Sequence, residues 1–286
     1  MNIVITGTGS YIPTQVISNI DFTNSSFYDA QGRPIERDPG EIIEKFKAIT
    51  GIEERRYLQS NMQTSDMAVI AAKEALKEAG TDLESLDGII VAHNFGNIPS
   101  GKVQSDVIPS LASRVKHALG IENPNCVAYD ILFGCPGWIQ GLIIARNYIL
   151  AGEGKKFLVI GAEALSRVLD PHDRDSMIYA DGAAATVIEA KDSGGGVLAV
   201  ASQTFSKDEA YYLYYDVSYK EKDRDATRYI KMQGHKIYEF ALNNVPQAMK
   251  TCLDKSGIPI DKIKKVLIHQ ANEKMDEAIV KRFYRL

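Results

Sequence analysis

A helix, a glycine stop, a short loop and a buried strand occur twice in this chain, in the same order and at the same spacing. The first copy, Ala-Ala-Lys-Glu-Ala-Leu-Lys-Glu-Ala-Gly, ends at Gly80 and leads through Leu83 and Leu86 to Ile89, Ile90 and Val91. The second, Met-Lys-Thr-Cys-Leu-Asp-Lys-Ser-Gly, ends at Gly257 and leads through Ile260 and Ile263 to Val266, Leu267 and Ile268. One constant offset relates every pair, which favours duplication over chance recurrence. Strands that are apolar along their whole length need helices on both faces of their sheet. The predicted fold is therefore α/β and layered, with mostly parallel strands, in two similar halves, 1–192 and 193–286.

The first half alternates strand and helix. Residues 2–7 read as an apolar strand closed by Gly7 and Gly9. Met67, Ala68, Ala71, Ala72, Ala75, Leu76 and Ala79 recur at helical spacing over 65–79, with Ser65 and Asp66 as caps and Gly80 as the stop. A strand over 87–92, a helix over 104–119, a strand over 126–132 and a helix over 136–151 follow, then strands at 157–160 and 184–188. The second half opens after Gly194, Gly195 and Gly196 with a strand over 197–203. Residues 206–230 are polar and rich in tyrosine, a surface excursion with one weak strand. A helix over 235–256 contains Pro246, which is expected to kink or split it. A strand over 264–268 and a helix over 271–285 come last. The duplicate of the Cys135 region would fall past Leu286. The second half is thus expected to be incomplete by one strand–helix–strand unit, with an open sheet edge and reduced stability unless a partner covers it.

Composition removes several classes of function. The 286 residues are 45% hydrophobic and 24% charged, with a net charge of −4, so neither a disordered chain nor a basic nucleic-acid surface is indicated. No apolar run reaches the roughly 18 residues of a membrane span. The N-terminus lacks the cationic flank of an export signal, which points to the cytoplasm. Cys126, Cys135 and Cys252 are odd in number and follow no metal spacing, so no disulfide framework or zinc site is expected. Gly7-Thr8-Gly9 lacks the rest of a dinucleotide fingerprint, and no Walker-type phosphate loop is present.

Two residues stand out. Cys135 follows a strand end and Gly134, and precedes a helix whose first position is Pro136. That placement aims unpaired N–H groups and the positive helix end at the sulfur, which stabilises a thiolate and an oxyanion on a bound thioester. A buried, inert cysteine fits the same local sequence. His269 ends the 264–268 strand, at the sheet edge where crevices form in open α/β folds. It suits donation to a carbonyl oxygen, or a structural histidine at a helix start. The remaining candidates carry less: His93 shows no partner, His117 lies on a helix, His172 and Asp173 share a charged loop, and His235 is expected to cap a helix. Cys126 and Cys252 read as core.

Together the motifs resemble the thiolase-fold condensing enzymes, most closely the β-ketoacyl-acyl-carrier-protein synthase III group. They are Asp130 to Gly137 (Asp-Ile-Leu-Phe-Gly-Cys-Pro-Gly), Asp170 to Arg174, Tyr179 to Ala183, Met232 to Gly234 and His269-Gln-Ala-Asn272, in family order, with Thr50 to Arg55 as a further landmark. The resemblance runs from Met1 to about Leu286. It implies duplicated βαβ halves in a layered α-β-α-β-α arrangement, the second half incomplete. It also implies decarboxylative condensation of an acyl thioester with malonyl-acyl carrier protein through an acyl-Cys135 intermediate. His269 would stabilise the enolate or thioester oxygen. Arg174 matches a position that contacts coenzyme A, and Lys274 one that meets the acidic carrier protein. Gln270, Asn272 and Gly234 join them as implied substrate-binding residues. Asn272 is the motif neighbour of the catalytic asparagine, which the resemblance puts in a segment after Leu286. No cofactor is implied, since acyl-coenzyme A and phosphopantetheine-linked acyl groups are substrates. A homodimer is.

Lys45 stands where typical members place a tryptophan on the adenine of coenzyme A, and Ile49 replaces a basic residue. Both argue against acetyl-coenzyme A as primer. Two other readings stay open: a secondary-metabolite ketosynthase with a non-acetyl starter, and a non-catalytic or truncated partner subunit.

Overall fold

The computed structural model describes residues 2–192, 194–220 and 226–286. Along the chain run β1 (Asn2–Tyr11), β2 (Gln15–Ser18), α1 (Pro39–Thr50), β3 (Glu54–Tyr57), α2 (Thr64–Ala79), β4 (Gly88–His93) and α3 (Leu111–Leu119). Then come β5 (Val127–Leu132), α4 (Gly137–Ala151), β6 (Lys156–Ala164), β7 (Asp181–Lys191), β8 (Leu213–Asp216), β9 (Tyr229–Met232), α5 (Gly234–Ser256) and α6 (Glu273–Phe283). The chain forms two units. Met1–Gln15, Arg56–Arg167 and Ala180–Leu198 make the first; Val16–Arg55, Val168–Tyr179 and Ala199–Leu286 make the second.

The first unit is built on a five-stranded sheet of order β1-β7-β6-β4-β5. Strict alternation along the strands divides its core. Ile89 and Val91 of β4 and Leu158 and Ile160 of β6 pack with Met67, Ala71 and Ala75 of α2 and with Leu111 and Val115 of α3. Ile90, Phe157, Val159 and Ile188 point the other way, onto Leu142, Ala145 and Ile149 of α4. Helix α2 lies hard against β1. A Cβ on Gly7 would come 2.2 Å from the Ala75 carbonyl oxygen, and one on Gly9 2.2 Å from that of Ala71. Two outer N–H groups of β1 are taken by α2 as well: Thr8 donates to Glu78 and Ser10 to Glu74.

The expected parallel pairing holds for β5–β4–β6 only. Those strands are joined through α3 and α4, which carry the chain back across the sheet. No such helix separates β6 from β7, so β7 returns antiparallel to β6, and β1 is antiparallel to β7.

The second unit has two small cores. Ile42 and Ile43 of α1 pack with Phe27 and Met177, and Leu242 of α5 packs with Met275 and Ile279 of α6. Arg55 of the Thr50–Arg55 landmark is buried. It donates to the Met177 and Ile17 carbonyls at 3.0 and 3.2 Å and to Asn19 Oδ1 at 2.6 Å, under the Phe22 ring. Helix α5 is one uninterrupted helix through Pro246, not two. Strands β8 and β9 pair antiparallel, so the tyrosine-rich stretch contributes to two paired strands where one weak strand was expected; its residues 221–225 lie outside the described residues.

The stretches 197–203 and 264–268, expected as strands, carry no regular secondary structure and enter no sheet among the described residues. A strand is fixed by its ladder, and apolar character alone does not supply one. The repeat nonetheless shows in local geometry. Gly80 and Gly257 both end their helices in the left-handed region, at φ 58° and 68°, and each is followed by a 3-10 turn, Leu83–Ser85 and Ile260–Lys262.

Candidate active site

Cys135 lies in the first unit, exposed, on the turn from β5 into α4. The turn is closed by the Gly137 N–H donating to the Gly134 carbonyl at 2.7 Å. Pro136 is the residue before the helix rather than its first member, so the helix starts one position later than expected. No side chain caps this end, so the helix start adjoining the thiol presents the positive end of its dipole there, with the Gly137 N–H already taken by the Gly134 carbonyl. A Cβ on Gly137 would come 2.8 Å from that of Ala92, so the glycine lets the helix start sit low on the strand end of β4.

Two half-buried acids stand on the strands that flank this turn. Asp130, on β5, accepts the N–H groups of Leu111 and Ala112 at the start of α3 and is 2.9 Å from His93 Nε2. His93 Nδ1 accepts the Gly96 N–H at 3.0 Å, so Nε2 carries the proton that Asp130 takes. His93 therefore has a partner that sequence could not show, across two neighbouring strands. Burial raises the Asp130 carboxyl, but His93 and the two helix N–H groups outweigh it and hold it below the usual range. Glu163, on β6, accepts the Asn94 N–H at 2.6 Å, and its second oxygen is buried without a partner. Burial pushes this carboxyl up, against the Asn94 N–H. The Asn94 amide in turn lies against Gly134, 3.3 Å from where a Cβ would stand.

The other candidates belong to the second unit. His269 and Gln270 are exposed, just before α6. Burial raises the Asp276 carboxyl on α6, with the charge of His269 opposing it. Asn272 caps α6, its Oδ1 accepting the Met275 N–H at 2.9 Å. Lys274 donates to the Ala48 carbonyl near the end of α1. Arg174 is exposed, 3.6 Å from Asp175. Gly234 opens α5, and a Cβ on it would come 3.4 Å from an Asp175 oxygen, so Arg174 and Gly234 meet through Asp175. His235 does not cap α5; it faces Glu239 one turn along, at 3.7 Å.

Lys231, wholly buried between Asp170 and Asp173, is a site residue that the sequence does not single out. Its only signal was its position beside Met232-Gln-Gly234, because a lysine within a short strand reads as a solvated face.

The segment that carries β5, the Cys135 turn, α4, β6 and β7 coincides with a match to the family model of 3-oxoacyl-[acyl-carrier-protein (ACP)] synthase III, at residues 129–206. Over 279 residues the chain is 32% identical to beta-ketoacyl-[acyl-carrier-protein] synthase III 1 of Vibrio vulnificus, covering 97% of this chain and 80% of the relative. The chain belongs to the 3-oxoacyl-[acyl-carrier-protein] synthase III family. Synthase III of Staphylococcus haemolyticus is 31% identical, with 97% of this chain and 79% of the relative covered. The crystal structure of synthase III from Thermus thermophilus superposes with a TM-score of 0.78 at 28% identity, covering 98% of this chain and 80% of that one. The fold is thus thiolase-like, and the enzyme class of the synthase III family is condensing acyltransferase. The chain spans about four fifths of the length of these synthase III relatives. Among the described residues, no helix is long and apolar enough to cross a membrane.

Proposed function

We propose that Cys135 is the nucleophile of a decarboxylative condensation. Its thiolate attacks an acyl thioester, the carbon–sulfur bond to coenzyme A breaks, and the acyl group stays on the sulfur. Malonyl-acyl carrier protein follows. Its carboxylate leaves as carbon dioxide, and the bonding pair becomes an enolate whose oxygen His269 stabilises. The enolate carbon attacks the acyl-cysteine, a carbon–carbon bond forms, and the thiolate departs with its electron pair. Arg174, Gly234, Gln270, Asn272 and Lys274 are the residues this reading assigns to the two carriers. Both acyl groups arrive as thioesters, so no cofactor is called for. The cytoplasm, where such carriers are found, is the compartment that suits the reading, and 1–192 and 193–286 are its duplicated halves.

The observation that carries the reading is the exposed Cys135 thiol on the turn before an uncapped helix start. Incubation with radiolabelled acyl thioesters, followed by peptide mapping, tests it. Label on Cys135 that is absent from C135A supports it. No label from any donor with a folded protein favours the non-catalytic partner instead.

A second reading keeps the chemistry and changes the starter. Lys45 and Ile49 are both exposed on α1, one turn apart, and offer a charge and an aliphatic side chain where a flat aromatic would stack on adenine. This favours a non-acetyl starter. Comparing acetyl-coenzyme A with longer acyl donors in the same labelling assay decides it.

A homodimer is the proposed assembly. The outer edge of β5 has no ladder among the described residues and is flanked by exposed Val127, Leu132 and Phe133.

A further inference from the structure

Lys231 is a fully buried ammonium in the second unit. It sits on β9, 3.4 Å from the centroid of the Tyr219 ring, in a salt bridge with Asp170 and 3.5 Å from Asp173. Asp170 is just as buried, and accepts three further hydrogen bonds: from Ser218 Oγ at 3.0 Å, the Tyr219 N–H at 2.8 Å and the His172 N–H at 3.0 Å. Asp173 accepts the Asp175 N–H at 3.0 Å and so caps the short turn Arg174–Ile178. The same stretch is bridged to β9 where Leu169 pairs with Ile230.

Burying an ion pair is a poor way to gain stability, because apolar side chains of the same volume do as well or better. What it supplies is one geometry, since each charge tolerates no other neighbour. Here the geometry fixed is that of the turn bearing Arg174. Asp173, immediately before Arg174, faces the ammonium, and Asp175, immediately after it, reaches Gly234 at the start of α5.

We infer that Lys231 is a positioning residue for thioester-carrier binding: through Asp170 and Asp173 it holds the Arg174 turn against the start of α5. The inference rests on the proposed reading, in which Arg174 contacts coenzyme A and Gly234 is a substrate-binding residue, and it places that contact at the nucleotide end of the donor. Lys231 itself touches no substrate. Its loss should weaken binding of a donor that has the nucleotide, and leave a donor without one unaffected.

The test uses K231M, K231R and D170N/K231M in the full chain. The double variant removes both charges and leaves no unpaired Asp170 if K231M fails to fold. Initial rates of Cys135 acylation are measured with acyl-coenzyme A and with the matching acyl-N-acetylcysteamine, and amide exchange is followed over residues 168–179. The expected result is a KM for acyl-coenzyme A raised about tenfold or more, kcat changed less than about threefold, and acyl-N-acetylcysteamine kinetics unchanged. K231R restores most of the affinity, and the 168–179 amides exchange about tenfold faster without Lys231. An acyl-coenzyme A KM within about twofold of wild type overturns the inference, as does an equal loss with both donors. A wild type that takes no label from any donor sinks the parent reading instead. In that case the exchange arm decides alone, and unchanged protection of 168–179 in the folded double variant overturns the role of Lys231.

Discussion

Glu163 accepts the backbone N–H of Asn94 at 2.6 Å, and the Asn94 side chain lies against Gly134, the residue before Cys135. A carboxylate on β6, two strands away from β5, is thus linked through Asn94 to the turn that carries Cys135. Replacing it with alanine orphans a backbone donor at a cost of about 1–3 kcal/mol. Replacing it with glutamine keeps an acceptor in place. E163A should slow alkylation of Cys135 by iodoacetamide about tenfold, while E163Q stays within about threefold of wild type. Equal rates in all three proteins would show that the brace does not reach the thiol.

Asp173 makes stability depend on pH. Burial, together with the nearby Asp175 charge, pushes its carboxyl up to about 6 against the pull of Lys231. The folded state therefore holds this proton more tightly than the unfolded chain does. Its contribution is fully present below about pH 4 and is lost as pH rises through about 6, for a total of about 3 kcal/mol. Asparagine still offers an oxygen to the Asp175 N–H but has no charge to bury. In urea unfolding, D173N should match wild type near pH 4 and exceed it by roughly 1–3 kcal/mol at pH 7.5.

Asn272 caps α6 through its side-chain oxygen, so part of the His269–Asn272 motif is structural. N272A should lower stability by about 1 kcal/mol, and N272D should recover it because a carboxylate caps as well. Denaturation midpoints that do not separate the two variants would contradict this.

The β5 edge should set the oligomeric state. Leu132 is 74% exposed and Val127 47%, on a strand whose outer side has no ladder among the described residues. Light scattering is expected to give a dimer for the wild type, and a monomer once Val127 and Leu132 are both changed to lysine. A wild-type monomer at micromolar concentration would refute it.

Helices with a clear apolar stripe and a glycine stop were legible in the sequence: α2, α4 and α5 begin and end within about two residues of expectation. Helix α3 starts at Leu111, not near 104, because Pro109 restricts Ile108 before it and Ser110 caps the helix by accepting the Ser113 N–H. Helix α1 went unread although Asp38-Pro39 is a good start signal and Gly51 a good stop, since its buried residues are only Ile42, Ile43 and Thr50. The direction of β7 and the partners of His93, Asp130 and Lys231 are products of long-range pairing, which periodicity does not encode. The Cys135 turn was legible because its signals, Gly134, Pro136 and the strand before them, are all local.

The two margins of the five-stranded sheet are not equivalent. Along β1 the backbone donors of Thr8 and Ser10 are stoppered by Glu78 and Glu74 from the molecule's own helix. Along β5 nothing comparable closes the row among the described residues. Lateral growth of the sheet is therefore one-sided, and the open side is the strand that leads into Cys135. Any chain that docks there lies along the strand that runs directly into the Cys135 turn.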